Sequence, residues 1–228
     1  QEVRLKFEKK FNQKIIQYYG ATETTRVVAA DPAGGERRLE SVGLPVSDVK
    51  VKILDPAGGE APVGQPGEIC VQMPGGMIGY WGRPKDTAET LKNGWLHTGD
   101  IGKLDQDGFL YLLDRKKDMM IVSGYNVYPA EIENILHEDP RILEAAVIGV
   151  PDERSGEKPL AFVILKKGEQ AAEDEIISLT REKLAVYNAV KKVKFVDNLP
   201  KSPIGKVLKK FLRQQYLSEL ETGKNEKS

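Results

Sequence analysis

Three charged side chains stand at places suited to work on an oxygen-rich, charged ligand. Asp100 ends Thr98-Gly99-Asp100, which reads as a turn presenting one carboxylate at the end of a strand. A carboxylate only accepts hydrogen bonds, so the two vicinal hydroxyls of a ribose could share its oxygens. Arg115 lies in Asp114-Arg115-Lys116-Lys117-Asp118, five consecutive charges between apolar runs. Such a segment cannot be core and must lie at a solvated joint. Lys206 follows Asn198 to Gly205, a loop that two prolines and a glycine keep out of helix, and precedes a helical pattern. Each has a plainer reading: a turn aspartate, a surface arginine, and a solvated helix face shared with Lys209, Lys210 and Arg213.

Other candidates are weaker alone. Tyr19-Gly20-Ala21-Thr22-Glu23-Thr24-Thr25 puts glycine and hydroxyl residues after a strand, where α/β folds bind ligands and where an ordinary loop and helix cap would look the same. Ser123-Gly124 permits either a close backbone approach to a thin ligand or a tight turn. His97 and His137, the only histidines, have no cysteine or carboxylate at metal-ligand spacing, so both read as structural and zinc as excluded. Asp105-x-Asp107-Gly108 lacks the rest of a calcium loop and reads as a hairpin turn. The lone Cys70 alternates in Glu68-Ile69-Cys70-Val71-Gln72 like a buried strand thiol.

The elements that must position these residues follow from periodicity. Glu2 to Phe11 suggests a surface helix with one apolar stripe, and Lys14 to Tyr18 a strand. From Ser41 to Trp81 glycine and proline separate short runs such as Val49–Leu54 and Glu68–Val71, the pattern of a small β-barrel or sandwich. The hexapeptide Asp-Pro-Ala-Gly-Gly-Glu occurs at residues 31–36 and 55–60, read as reused turn chemistry. Gly102 to Leu104, a turn at 105–108 and Phe109 to Leu113 form a hairpin. A helix opens at Pro129 with Ile132, Ile135 and Leu136 in phase. Beyond it come strands at Leu143–Val150 and Leu160–Leu165 joined by a polar turn from Pro151 to Pro159, a helix at Glu173–Ala185, a strand at Lys192–Val196 and a last helix from Val207 to about Leu220. This is a small α+β domain beginning near Lys117.

Composition narrows the classes. Lys and Arg total 34 against 34 Asp and Glu, a formal net charge of 0, so bulk electrostatics recommends neither nucleic acid nor an anionic membrane. One cysteine excludes an internal disulfide and fits a reducing compartment. No apolar run approaches the roughly 20 residues needed to span a bilayer. The expectation is a soluble cytoplasmic protein without a transmembrane segment, peripheral membrane contact and oligomeric state being left open. Starting at Gln1 in the middle of an amphipathic pattern, the sequence reads as a piece of something longer.

The stretch Asp114-Arg115-Lys116-Lys117-Asp118-Met119-Met120-Ile121-Val122-Ser123-Gly124-Tyr125-Asn126-Val127-Tyr128-Pro129-Ala130-Glu131-Ile132-Glu133 closely resembles the acyl-adenylate-forming (AMP-binding) enzymes, and among them the bacterial long-chain fatty acyl-CoA ligases. Tyr19-Gly20-x-Thr22-Glu23 resembles a family signature, Pro200-Lys201-Ser202-Pro203-x-Gly205-Lys206 resembles its terminal motif, and Gly79-Tyr80 to Pro84 resembles a chiefly structural segment. The resemblance implies ATP, Mg²⁺ and CoA, with a fatty acid converted to an acyl adenylate and then to a thioester. Tyr19 would stack on adenine beside Gly20, Thr22 would meet the α-phosphate and Glu23 would hold Mg²⁺. Asp100 and Arg115 would hold the ribose, Lys206 would bridge the acyl carboxylate and ATP phosphate, Lys117 would be the hinge of a swinging domain, and Ser123-Gly124 would line the pantetheine tunnel.

The fold expected is α+β: the end of a large N-terminal α/β nucleotide-binding domain (1–40), a β-barrel-like subdomain (41–116), a compact mobile lid domain (117–220) and a disordered tail (221–228). The family's upstream phosphate loop and acyl-pocket segments do not occur in this sequence. The match covers about the C-terminal two-fifths of a family enzyme, which implies inactivity alone. Tyr187-Asn188-Ala189-Val190 departs from the family's frequent Tyr-Lys-x-Pro. Two rivals stay open: an adenylation domain that loads a carrier protein, and a noncatalytic nucleotide-binding module.

Overall fold

The computed structural model describes residues 2–225. They form two compact α+β units, divided between Lys116 and Lys117.

In the first unit, α1 (Glu2–Phe11) is the expected surface helix, but Phe7 and Phe11 of its stripe remain exposed and pack on each other at 4.5 Å. Its anchor is polar. Arg4 Nη2 lies 2.5 Å from Asp31 Oδ2, and Asp31 also accepts the Gln17 amide at 3.0 Å. Residues 14–17 lie outside the sheet, and the strand expected at Lys14–Tyr18 instead is β1 (Tyr18–Gly20). β1 pairs antiparallel with β2 (Val27–Ala30), and β2 with β3 (Leu44–Pro45).

The second sheet of this unit is a half-barrel of β4 (Lys50–Leu54), β5 (Gly67–Gln72), β6 (Leu91–Lys92), β7 (Trp95–Leu104) and β8 (Leu110–Arg115), with α2 (Pro84–Thr90) leading into β6. β7 is its spine. It pairs with β5 along one edge, while β6 and β8 divide the other. The turn expected at Thr98-Gly99-Asp100 is therefore not at a strand end; these residues lie inside β7. Tyr19, Val28 and Ala29 share one buried core with Val49, Ile53, Ile69, Val71 and Leu110. No packing boundary falls at the expected division between residues 40 and 41.

The second unit is built on a two-faced sheet. β9 (Met120–Val122) and β10 (Tyr125–Val127) form a hairpin, followed by α3 (Pro129–Leu136). β11 (Ile142–Asp152) and β12 (Gly156–Leu165) form a longer hairpin, and α4 (Glu173–Lys183) leads to β13 (Lys192–Phe195), parallel to β12. Strand alternation sorts the side chains. Ala145, Val147, Ala161 and Val163 face a core with Ile132, Leu136 and Ile176 from α3 and α4. Ala146, Ile148, Val150, Leu160 and Phe162 face Leu212 and Tyr216 of α5 (Lys209–Asn225).

Three expected boundaries move. The long polar turn at 151–159 shrinks to residues 153–155, because Asp152 accepts the Ser155 amide at 3.1 Å and Lys158 Nζ at 2.9 Å, so both strands can continue. α5 begins at Lys209 rather than Val207, since the Leu208 amide is spent on the Pro200 carbonyl at 2.8 Å and Val207 bridges Lys201. It runs on to Asn225, so residues 221–225 of the expected disordered tail are helical backbone, and residues 226–228 lie outside the described residues.

Asp31 is buried and supplies the closer of the two carboxylates paired with Arg4. Asp31→Ala leaves Arg4 only its longer carboxylate contact, with Glu8 at 3.4 Å, and should destabilise the first unit by about 1.5 to 3 kcal/mol, the worth of a hydrogen bond to a charged group, measured by urea unfolding with tryptophan fluorescence, since Trp81 and Trp95 both lie in that unit. A loss below about 1 kcal/mol would mean that the pair behaves as a surface bridge.

Candidate active site

Asp100 and Arg115 are direct partners across β7 and β8, with Arg115 Nε 2.7 Å from Asp100 Oδ1. Asp100 is 8 % exposed, and its other oxygen accepts the Tyr19 hydroxyl at 2.6 Å. The Asp100 amide bonds Thr98 Oγ1 at 3.1 Å, and that hydroxyl donates to the Ile69 carbonyl at 2.8 Å. Gly99, next to Asp100, takes φ 69°, a backbone conformation that glycine adopts without strain, and its carbonyl receives the Lys116 amide at 2.9 Å. The result is a carboxylate gripped from both sides, with lone pairs left on each oxygen. Burial, and then the bonded carboxylate, raise the Tyr19 phenol well above its ordinary ionisation, so it is held as a donor. The Arg115 side chain is 52 % exposed.

Tyr19 itself is 7 % exposed. The sequence did not signal that its hydroxyl, rather than its ring, is engaged with Asp100. Gly20 ends β1, and a Cβ there would meet the Arg26 carbonyl at 2.7 Å. Thr22 and Glu23 sit in the following 3₁₀ turn, Thr22–Thr24, which Thr24 closes by bonding the Ala21 amide and carbonyl. Thr22 is exposed. Glu23 is half-buried; its Oε1 accepts the Tyr80 hydroxyl at 2.8 Å, and its carbonyl accepts the Met77 amide. Tyr80 is a partner that sequence reasoning assigned only to structure.

In the second unit, Ser123 (φ 52°) and Gly124 (φ 85°) form the two-residue turn of the β9–β10 hairpin, and both are exposed. Turn geometry by itself accounts for the glycine. Lys117 is exposed at the first position of this unit. Lys206 stands on a closed loop in which the Ser202 amide donates to the Lys206 carbonyl at 2.8 Å, the Gly205 amide to the Ser202 carbonyl at 2.9 Å, and the Lys206 amide to Ser202 Oγ at 3.2 Å. The backbone is pinned while the ammonium is exposed and without a partner among the described residues.

A second cluster corrects one expectation. Glu68, Cys70 and His97 do come together, although the sequence spacing gave no metal-ligand pattern. Glu68 and Cys70 are two apart on β5 and so share a face, and Cys70 is the cross-strand partner of His97 on β7. His97 Nδ1 lies 3.4 Å from Cys70 Sγ and 3.3 Å from Glu68 Oε2. Burial, and then the Glu68 charge, push the Cys70 thiol up to about 12. Burial opposes ionisation of Glu68, but Lys116 and His97 outweigh it and hold the carboxyl below its ordinary range.

Comparison with known proteins gives these sites a context. The profile of the AMP-binding enzymes matches residues 1–81, and that of the AMP-binding enzyme C-terminal domain matches residues 131–206. The chain belongs to the AMP-binding enzyme family. It is 44% identical to a long-chain fatty acid–CoA ligase of Escherichia coli O6:H1 over 215 residues, 94% of this chain and 38% of that protein. It is 42% identical to the fatty acid–[acyl-carrier-protein] ligase ScoC of Streptomyces coeruleorubidus, covering 89% of this chain and 40% of that protein. The ATP-bound structure of MatB from Rhodopseudomonas palustris superposes with a TM-score of 0.88 at 36% identity, over 94% of this chain and 43% of that one. The chain thus spans about two-fifths of the length of the AMP-binding relatives it matches.

Removing the Tyr19 hydroxyl takes one donor from a buried carboxylate, worth about 1.5 to 3 kcal/mol for a hydrogen bond to a charged group. Tyr19→Phe should lower the stability of the first unit by that order at neutral pH. Because the folded phenol ionises above the unfolded one, its contribution is complete below about pH 10 and is lost as pH rises further. The difference between wild type and Tyr19→Phe should therefore narrow above about pH 10 in urea unfolding. A gap that stays constant would mean that the bond does not form.

Proposed function

We propose that the chain supplies the nucleotide clamp and the mobile lid of an ATP-dependent fatty acid–CoA ligase, which forms an acyl adenylate and then a thioester. The observation that carries this reading is the carboxylate of Asp100 held between Tyr19 and Arg115. Two acceptor oxygens fixed in direction, next to a cation, suit the paired hydroxyls of a ribose. Of two roles open to Tyr19, orienting Asp100 is the one its burial favours over offering a ring face to adenine.

Thr22 would donate to the α-phosphate. Glu23 would hold Mg²⁺: a hard carboxylate oxygen suits that ion, and only one of its oxygens is engaged by Tyr80. Bound there, the ion would neutralise phosphate charge. Lys206, an ammonium on a pinned loop with no partner among the described residues, would meet the charge that develops as the fatty acid carboxylate attacks phosphorus. Lys117 would be the pivot that exchanges this lid for the Ser123-Gly124 turn, which would then face the pantetheine arm of CoA. The cytoplasm is proposed as its compartment; among the described residues no helix is long and apolar enough to cross a membrane.

In a full-length enzyme bearing these residues, Lys206→Ala should lower acyl-adenylate formation by about 10² to 10³ while sparing conversion of supplied acyl adenylate to acyl-CoA. Lys117→Pro should do the reverse, because a fixed φ stiffens the pivot. Equal loss of both half-reactions in Lys206→Ala contradicts the assignment. The likeness to ScoC favours a second reading, transfer to a carrier protein, and thioester formation on a phosphopantetheinyl protein but not on free CoA would select it. Pyrophosphate release that depends on fatty acid would exclude a noncatalytic nucleotide-binding module.

A further inference from the structure

The Glu68, Cys70 and His97 cluster lies on the central strands of the half-barrel, and the nucleotide clamp does not use it. Its three donors are of three chemical kinds, a carboxylate oxygen, a sulfur and an imidazole nitrogen, all within 4.8 Å of one another. In a tetrahedral zinc site the bonds are about 2.0 to 2.3 Å, so neighbouring ligand atoms stand roughly 3.3 to 3.7 Å apart. The two separations from His97 Nδ1, 3.4 Å to Cys70 Sγ and 3.3 Å to Glu68 Oε2, already meet that requirement.

Backbone pairing fixes the arrangement. Cys70 faces His97 on β7 and Lys52 on β4, while Glu68 shares its face two residues earlier on β5. The Lys52 ammonium is turned onto the Trp95 ring at 4.1 Å. Lys116 Nζ lies 2.9 Å from Glu68 Oε2, with 58 % of its side chain exposed, so it can leave for solvent. Cys70 is buried, and the Glu68 and His97 side chains are 13 % and 16 % exposed, so the cluster is largely closed to solvent.

We propose that Glu68, Cys70 and His97 form a binding site for a borderline-soft divalent cation of the Zn²⁺ type, with water in the fourth position and Lys116 as the group displaced on binding. The thiol proton leaves to solvent as the cation takes the sulfur, and carboxylate plus thiolate then balance the ion's charge. Occupancy frees Lys116 from Glu68 at the residue before Lys117.

The test is a titration of the chelator-stripped, reduced chain with Co²⁺. The expected result is a near-ultraviolet thiolate-to-cobalt band with the intense visible bands of tetrahedral cobalt, bleached by Zn²⁺. Changing an outer-shell partner already costs about 10- to 100-fold in affinity, so Cys70→Ser and His97→Gln should each lose more than about 100-fold. Lys116→Met should bind more tightly than wild type. Circular dichroism establishes that each variant is folded, and X-ray absorption of the zinc-loaded wild-type chain, which needs no variant, should show one sulfur ligand. Absence of the charge-transfer band, absence of sulfur from the zinc shell, or undiminished binding in folded Cys70→Ser would overturn the proposal.

Discussion

A buried polar group needs hydrogen-bonding partners, and the Asp100 carboxylate has one from each side, the Tyr19 hydroxyl and the Arg115 guanidinium. The first unit is arranged to make both bonds at once. Arg115 arrives through the register of β8 on β7, and Tyr19 arrives from a different sheet through the core it shares with Ile69 and Leu110. Neither partner can shift without exposing apolar surface or stranding a charge. In the ribose-binding role proposed for it, this carboxylate would be aligned before any ligand arrives, and binding energy need not be used to orient it.

In the second unit Lys206 is an exposed cation on a hydrogen-bonded base. The sheet is covered on one face by α3 and α4 and on the other by α5, which leaves residues 196–208 as a short crossing between β13 and α5. Backbone bonds close that crossing around Ser202 and Gly205, and the Lys206 side chain projects from it. Ion pairs of Lys209 with Glu133 at 2.8 Å and of Arg213 with Glu157 at 2.9 Å tie down the helix that follows. Lys206 is thereby set apart from its basic neighbours in a way that charge spacing along the sequence does not reveal.

What the sequence made legible is what a single segment specifies. The helix at Pro129, the β7–β8 hairpin and the alternation of Leu143–Val150 are encoded by their own periods and turns. What depended on pairing between segments was not legible. The hexapeptide Asp-Pro-Ala-Gly-Gly-Glu shows why. At Asp55 the carboxylate accepts the Gly59 amide at 2.9 Å in an exposed turn, whereas at Asp31 it is buried against Arg4. Identical residues take opposite roles because α1 covers only one copy. For the same reason Glu68, Cys70 and His97 looked unrelated until the register of β5 on β7 set them side by side, and Tyr19 gave no sign that its hydroxyl would reach Asp100.

The proposed role of Asp100 as the acceptor of two sugar hydroxyls is tested most directly by comparing AMP with 2′,3′-dideoxy-AMP binding to this chain by ligand-observed NMR. AMP should bind weakly but measurably, and the dideoxy nucleotide should bind at least about tenfold more weakly, since each lost hydrogen bond to a charged group is worth about 1.5 to 3 kcal/mol. Equal affinity for the two nucleotides would contradict it.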